Sequence, residues 1–156
     1  METNIGITSE NSKNISDILN RLVSDEYILY TKTRNYHWNV IGMQFNDLHK
    51  FFESQYEEID QVIDDVAERN RALGGKAKAT LAEFIGNSRL KEQPDTYPEP
   101  KTMLRNLLDD HEAVIRALRQ DLEICTKLGD AGTSDFLTGL MEKHEKMAWM
   151  LRAFLA

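Results

Sequence analysis

From Ile15 onward, apolar side chains recur at helical spacing. Ile15, Ile18, Leu19, Leu22 and Val23 open a stripe that runs through Tyr30 toward His37 until Gly42 interrupts it. The pattern predicts a first long helix. Asn46 is a suitable N-cap for a second, whose stripe is Leu48, Phe52, Tyr56, Ile59, Ile63, Val66 and Leu73, closed by Gly74-Gly75. Thr80 to Ile85 has the spacing of one short helix, with Gly86-Asn87 as a stop. After Pro100, the residues Leu104, Leu107, Leu108, His111, Ile115, Leu118, Leu122 and Cys125 trace a third long helix to Gly129. Leu137, Leu140, Met141, His144, Met147, Leu151 and Phe154 trace a fourth.

Four helices of roughly 22 to 28 residues would each be about 33 to 42 Å long at 1.5 Å per residue. All three prolines fall between residues 94 and 100, and the chain has eight glycines in all, so only the middle connection is punctuated. The prediction is an all-α chain: a four-helix bundle with one long crossover that holds the short extra helix. Residues 1–14 are too polar to continue the stripe and are expected to form a flexible tail, leaving 15–156 as the bundle domain.

Composition narrows the chemistry. A chain of 156 residues with 41% hydrophobic content can bury one ordinary core, and its lone Cys125 cannot form an internal disulfide or a cysteine metal knuckle. No secretory leader pattern and no run of eighteen apolar residues occurs, so a soluble cytoplasmic protein is expected. A formal net charge of −7 gives a field that attracts cations and repels phosphate backbones.

Imidazoles and carboxylates suited to iron, manganese or zinc stand at His37, His49, Glu53, Asp64 and Glu68. Asp64 and Glu68 are four apart on one face of the second helix, as are His49 and Glu53. His49 precedes Asp64 by fifteen residues on that helix, roughly 22 Å, which no side chain spans. Two copies packed antiparallel across a two-fold axis would bring the two pairs together. The chain contains no Glu-x-x-His, the signature of a site inside one bundle. His111 and His144 interrupt apolar stripes without a partner at ligand spacing and read as core residues.

The run His37-Trp38-Asn39-Val40-Ile41-Gly42, then five residues, Leu48-His49, and Glu53 after three more, resembles the ferroxidase signature of the Dps family, the ferritin-like miniferritins. Asp64-Asp65-Val66-Ala67-Glu68-Arg69 followed by Leu73-Gly74-Gly75 is similar to that family's second signature. Pro100-Lys101-Thr102, the Gly129 to Phe136 turn and Trp149 extend the likeness over most of residues 15 to 156.

The resemblance implies a ferritin-like bundle assembled into a hollow homo-dodecamer. It implies a ferroxidase that oxidises Fe(II) with hydrogen peroxide and stores ferric iron, protecting against oxidative damage, with zinc or manganese as substitutes at the site. His37 and His49 would be ligands from one subunit and Asp64 and Glu68 from its neighbour, all four catalytic. Glu53 would be a further metal carboxylate, where many members have aspartate. Asp130 and Asp135 sit where the family places acidic pore residues, and equally where a helix takes N-terminal acids. Trp38, beside a ligand, is a hypothetical radical sink. DNA compaction is the alternative function, nucleoid-associated where it occurs. Members perform it through lysine-rich extensions, whereas the first fourteen residues here set Lys13 against Glu2 and Glu10, so weak or absent DNA binding is expected. Asp65, Glu57 and Glu58 read as a solvated helix face.

Overall fold

The computed structural model describes residues 3–156, and its regular elements are all helical. In chain order they are α1 (Ser9–Asn39), α2 (Phe45–Ala72), α3 (Leu81–Asn87), α4 (Pro100–Lys127) and α5 (Ala131–Leu155). α1 packs on α2 and α4 on α5, giving two hairpins that join face to face along α1 and α4. The interior is the predicted stripes: Ile15, Leu19, Leu22 and Leu29 from α1, Leu48, Phe52, Ile59 and Val66 from α2, Leu107 and Leu118 from α4, and Leu137 and Leu151 from α5, all buried.

Three boundaries differ from the sequence reading, the smallest in α3, which continues through Gly86 and Asn87, the expected stop, to a C-cap at Ser88. α1 begins at Ser9, with Thr8 as N-cap accepting a hydrogen bond from the Asn11 amide, so residues 9–14 are helix rather than tail. Residues 1 and 2 lie outside the described part. The polar segment docks because it closes other helices. Asn11 Nδ2 donates to the Leu128 carbonyl at the end of α4, and Ser12 Oγ to the Leu73 carbonyl at the end of α2. Those carbonyls have no intrahelical partner of their own, so polar residues are what the position needs. α2 starts at Phe45 with Gln44, not Asn46, at the N-cap, because the chain already turns at Gly42, whose φ of 107° suits glycine.

The crossover from residue 73 to 99 is fastened at three points. Gly75 packs so tightly that a Cβ there would overlap the Asn70 and Ser16 side chains. α3 carries a full capping box between Thr80 and Glu83, and the bonds from Thr80 hold the Glu83 carboxyl below its ordinary range. Phe84 then stacks on Tyr27 of α1, centroids 4.2 Å apart. Beyond α3, the buried Asp25 of α1 accepts from the Arg89 amide at 2.6 Å, from Arg89 Nε at 2.7 Å and from Ser88 Oγ at 3.0 Å. Arg89 Nη1 reaches on to Asp121 of α4 at 3.0 Å.

Arg89→Ala would leave Asp25 buried without its cation. Removing one partner of such a pair costs about 3 kcal/mol, or roughly 6–12 °C in Tm for a chain of this size. Chemical and thermal unfolding of the variant should show that loss; a change within measurement error would mean the clamp contributes nothing.

Candidate metal centre

His37 ends α1 and His49 lies in the first turns of α2, so the corner at residues 40–44 folds one ring onto the other. The rings stack, centroids 3.8 Å apart and planes 20° apart. His37 Nδ1 is 2.7 Å from the His49 carbonyl oxygen, and His49 Nδ1 is 2.9 Å from the His37 carbonyl oxygen. A carbonyl only accepts, so both Nδ1 atoms carry the proton and donate. In the neutral ring this fixes the tautomer and leaves each Nε2 with its lone pair, the state in which imidazole binds a metal. Phe45 stacks on the outer side of His49, centroids 5.1 Å apart.

Glu53 is half-buried one turn beyond His49, and Tyr56 Oη donates to its Oε1 across 3.4 Å. Burial, and after it the Glu53 carboxylate, raise the Tyr56 phenol above its ordinary value. Tyr56 also meets the His37 ring edge-on at 5.3 Å. Arg34, one turn before His37, sits among three aromatic rings: its Cζ lies 4.7 Å from the Tyr56 centroid, 5.0 Å from Trp38 and 5.5 Å from Tyr30. Its Nη1 donates to Tyr30 Oη at 2.7 Å. The guanidinium thereby packs the rings that border the histidine pair. Periodicity alone could not single out Arg34 and Tyr56; the available signal was their helical offset from His37 and Glu53.

The other two candidates stand apart. Asp64 and Glu68 are exposed on the far half of α2, one turn from each other. Among the described residues, no three or more His, Cys, Asp or Glu side chains of one chain gather where they could hold a metal ion. The stacked imidazoles and Glu53 therefore lie toward one end of α2, and Asp64 and Glu68 toward the other.

Asp130 is the N-cap of α5, its Oδ1 accepting from the Thr133 amide at 2.9 Å and from Arg69 Nη2 at 3.0 Å. Burial works to raise its carboxyl, but the Thr133 hydrogen bonds and the Arg69 charge together pull it below its ordinary range. That is the helix-capping reading; Asp135 one turn on is exposed. Glu57 and Glu58 are exposed, and Glu58 pairs with Lys143 at 3.2 Å. Cys125 is fully buried and its thiol is pushed up to about 11 by burial, which leaves it unreactive. Among the described residues no helix is long and apolar enough to cross a membrane. His111 and His144 are in the core, as read, but they touch each other, which spacing along either helix could not show.

Comparison with known proteins agrees with this architecture. The ferritin-like domain matches residues 16–156. A low temperature-induced protein of Nostoc sp., described as uncharacterized, is 44% identical over 97% of this chain and 86% of its own length. DNA protection during starvation protein 2 of Bacillus anthracis is 41% identical over 92% of this chain and 98% of its own. Among solved structures, the Dps protein of Vibrio cholerae, described as one of the ferritin-like diiron-carboxylate proteins, superposes with a TM-score of 0.93 at 30% identity, covering 100% of this chain and 98% of that one. The Dps protein of Bacillus brevis gives 0.91 at 32%, covering 96% and 100%. With its two-hairpin bundle, its crossover helix and relatives of this likeness along nearly its full length, the chain belongs to the Dps miniferritin family of ferritin-like proteins.

Proposed function

We propose that this protein stores iron and protects against oxidative damage as a ferroxidase, with its reaction sites split between neighbouring subunits of a twelve-subunit cage. The observation that carries this reading is the reciprocal tie between His37 and His49, which leaves two Nε2 lone pairs while, among the described residues, no third His, Cys, Asp or Glu of the same chain completes a metal site with them. Asp64 and Glu68 lie on the same helix, roughly 22 Å and roughly 28 Å along it from His49. An antiparallel pairing of two α2 helices brings the carboxylates of one subunit to the imidazoles of the other, twice per pair. Apolar side chains support a covered corner: Trp38, Ile41, Met43 and Phe45 are 64%, 75%, 107% and 46% exposed in the single chain, a patch that a partner would bury.

Iron is the substrate. Neutral imidazoles and carboxylates together suit Fe(II), zinc and manganese. Two Fe(II) ions oxidised together give two electrons to one hydrogen peroxide, which with two protons becomes two waters. The pairing matters because a single electron would cleave peroxide to a hydroxyl radical. In this reaction Asp64, Glu68, His37 and His49 hold the ions, while Glu53, positioned by Tyr56, serves the second ion. The overall negative charge draws cations toward the assembly.

A complementation experiment separates a shared site from one within a single chain. His49→Ala and Asp64→Asn should each abolish rapid Fe(II) oxidation by peroxide. If the ligands come from two subunits, reassembling an equal mixture of the two inactive variants at random gives each site an intact imidazole side half the time and an intact acid side half the time. About a quarter of wild-type activity should then return. A mixture as inactive as its parts would sink the shared site.

Direct DNA binding is proposed to be weak or absent. Lys13 is the one cation among the first fourteen residues, and the neighbouring Asn11 and Ser12 are engaged with helix ends. A gel-shift titration at about 150 mM salt should leave duplex DNA unretarded; retardation at sub-micromolar cage would overturn this.

A further inference from the structure

Three buried polar side chains of the bundle interior play no part in the site above. Glu26 of α1, His111 of α4 and His144 of α5 each have no exposed surface. The two imidazoles face one another, Nδ1 to Nδ1 at 3.0 Å, so one nitrogen carries a proton and the other accepts it. His144 turns its opposite nitrogen, Nε2, to Glu26 Oε1 at 2.9 Å, off the line of a straight hydrogen bond. Glu26 Oε2 and His111 Nε2 have no partner. These donors are strung along a line through the His144 ring instead of gathered about a point, an arrangement that suits a proton and not a metal ion.

The charge count constrains what the chain of groups can hold. Glu26 ionised with two neutral rings leaves one buried negative charge, and a proton shared with His144 cancels it. A further proton has only His111 to go to, and it would leave an uncompensated cation in the core. The neighbouring charges are occupied: Asp25 with Arg89, Lys32 with Asp110, Arg152 with Glu112, Arg119 with Glu145, and Lys143 with Glu58 of α2. The polar residues that α2 buries, Gln55 and Asn70, are uncharged. Burial, and then His144, push the His111 imidazole well below its ordinary value.

We propose that the Glu26–His144–His111 chain is an acid-sensitive lock. It ties the α1/α2 hairpin to the α4/α5 hairpin while His111 is neutral, and it turns against the folded state when the surroundings become acid enough to protonate an exposed imidazole. His111 stays neutral in the fold, whereas in the unfolded chain it takes a proton near pH 6.5. At this one residue the unfolded state then binds more protons, so the His111 contribution to stability is intact above about pH 6.5 and is lost as the pH falls below it. The unfolding equilibrium shifts about tenfold per pH unit until the folded-state value of His111 is reached.

The test is thermal unfolding of the full-length protein in chelator from pH 8 to pH 5, comparing wild type with His111→Gln. The glutamine amide can still donate to His144 Nδ1 and cannot titrate. The expected result is a Tm falling by about 3–5 °C per pH unit below 6.5 in the wild type, with that component of the slope missing from His111→Gln and retained in His49→Ala. Deuterium exchange at the imidazole C2 position, read by mass spectrometry on the wild type, follows each histidine without any variant and decides the matter should His111→Gln not fold. His111 remaining neutral well below pH 6.5 supports the lock. An ordinary histidine titration there, or an acid slope equal to wild type in His111→Gln, overturns it.

Discussion

The geometry of α2 governs what this protein can do. A continuous helix advances 1.5 Å per residue and does not bend to bring its own ends together. Leu48, Phe52, Ile59, Val62 and Val66 bury one face of α2 along its length, so the helix is held against α1. The imidazole pair is anchored near its first turns and the exposed carboxylates stand about four and five turns away. Any chemistry that needs both must recruit a second molecule. In the proposed reading, oligomerisation is therefore a condition of having a site at all, and the exposed apolar corner beside the histidines is where the condition is met.

Polar side chains do a second kind of work, closing the ends of the bundle. Asn11 and Ser12 terminate α4 and α2, Arg69 ties the end of α2 to the start of α5 through Asp130, and Arg89 holds the crossover to α1 and α4. Each leaves fewer charges free for other roles. Asp130 shows the consequence: a carboxylate that accepts from Thr133 and Arg69 is committed to the helix end, while Asp64 and Glu68 remain open on the surface.

The long helices were legible because their apolar residues repeat with the helical period, and that signal is strong over seven or more turns. The first six residues of α1 were not, since Ser9 to Asn14 bury no stripe and owe their order to carbonyls at the ends of α2 and α4, which sequence spacing does not reveal. The same division runs through the candidate site. His49, Glu53, Asp64 and Glu68 lie on one helix, so their separations could be computed from residue numbers. Arg34 acts through packing against Tyr30, Trp38 and Tyr56, and the His111–His144 contact joins residues on two helices. Neither kind of contact has a period to find.

The four histidines form two pairs of the same composition with opposite prospects, and the difference lies in what each Nδ1 bonds. In the pair at the corner, backbone carbonyls take both Nδ1 protons, and each Nε2 is left with its lone pair. In the core pair the Nδ1 atoms take each other, and Glu26 occupies the far side of His144. A carbonyl is a fixed acceptor that cannot give a proton back, so it locks one tautomer and prepares the ring for a metal. An imidazole or a carboxylate can exchange the proton, so the core chain can pass it between neighbours, while a further proton finds no compensated place in the fold. Backbone acceptors at the α1–α2 corner and side-chain acceptors in the core thus direct one residue type to two separate tasks within a single bundle.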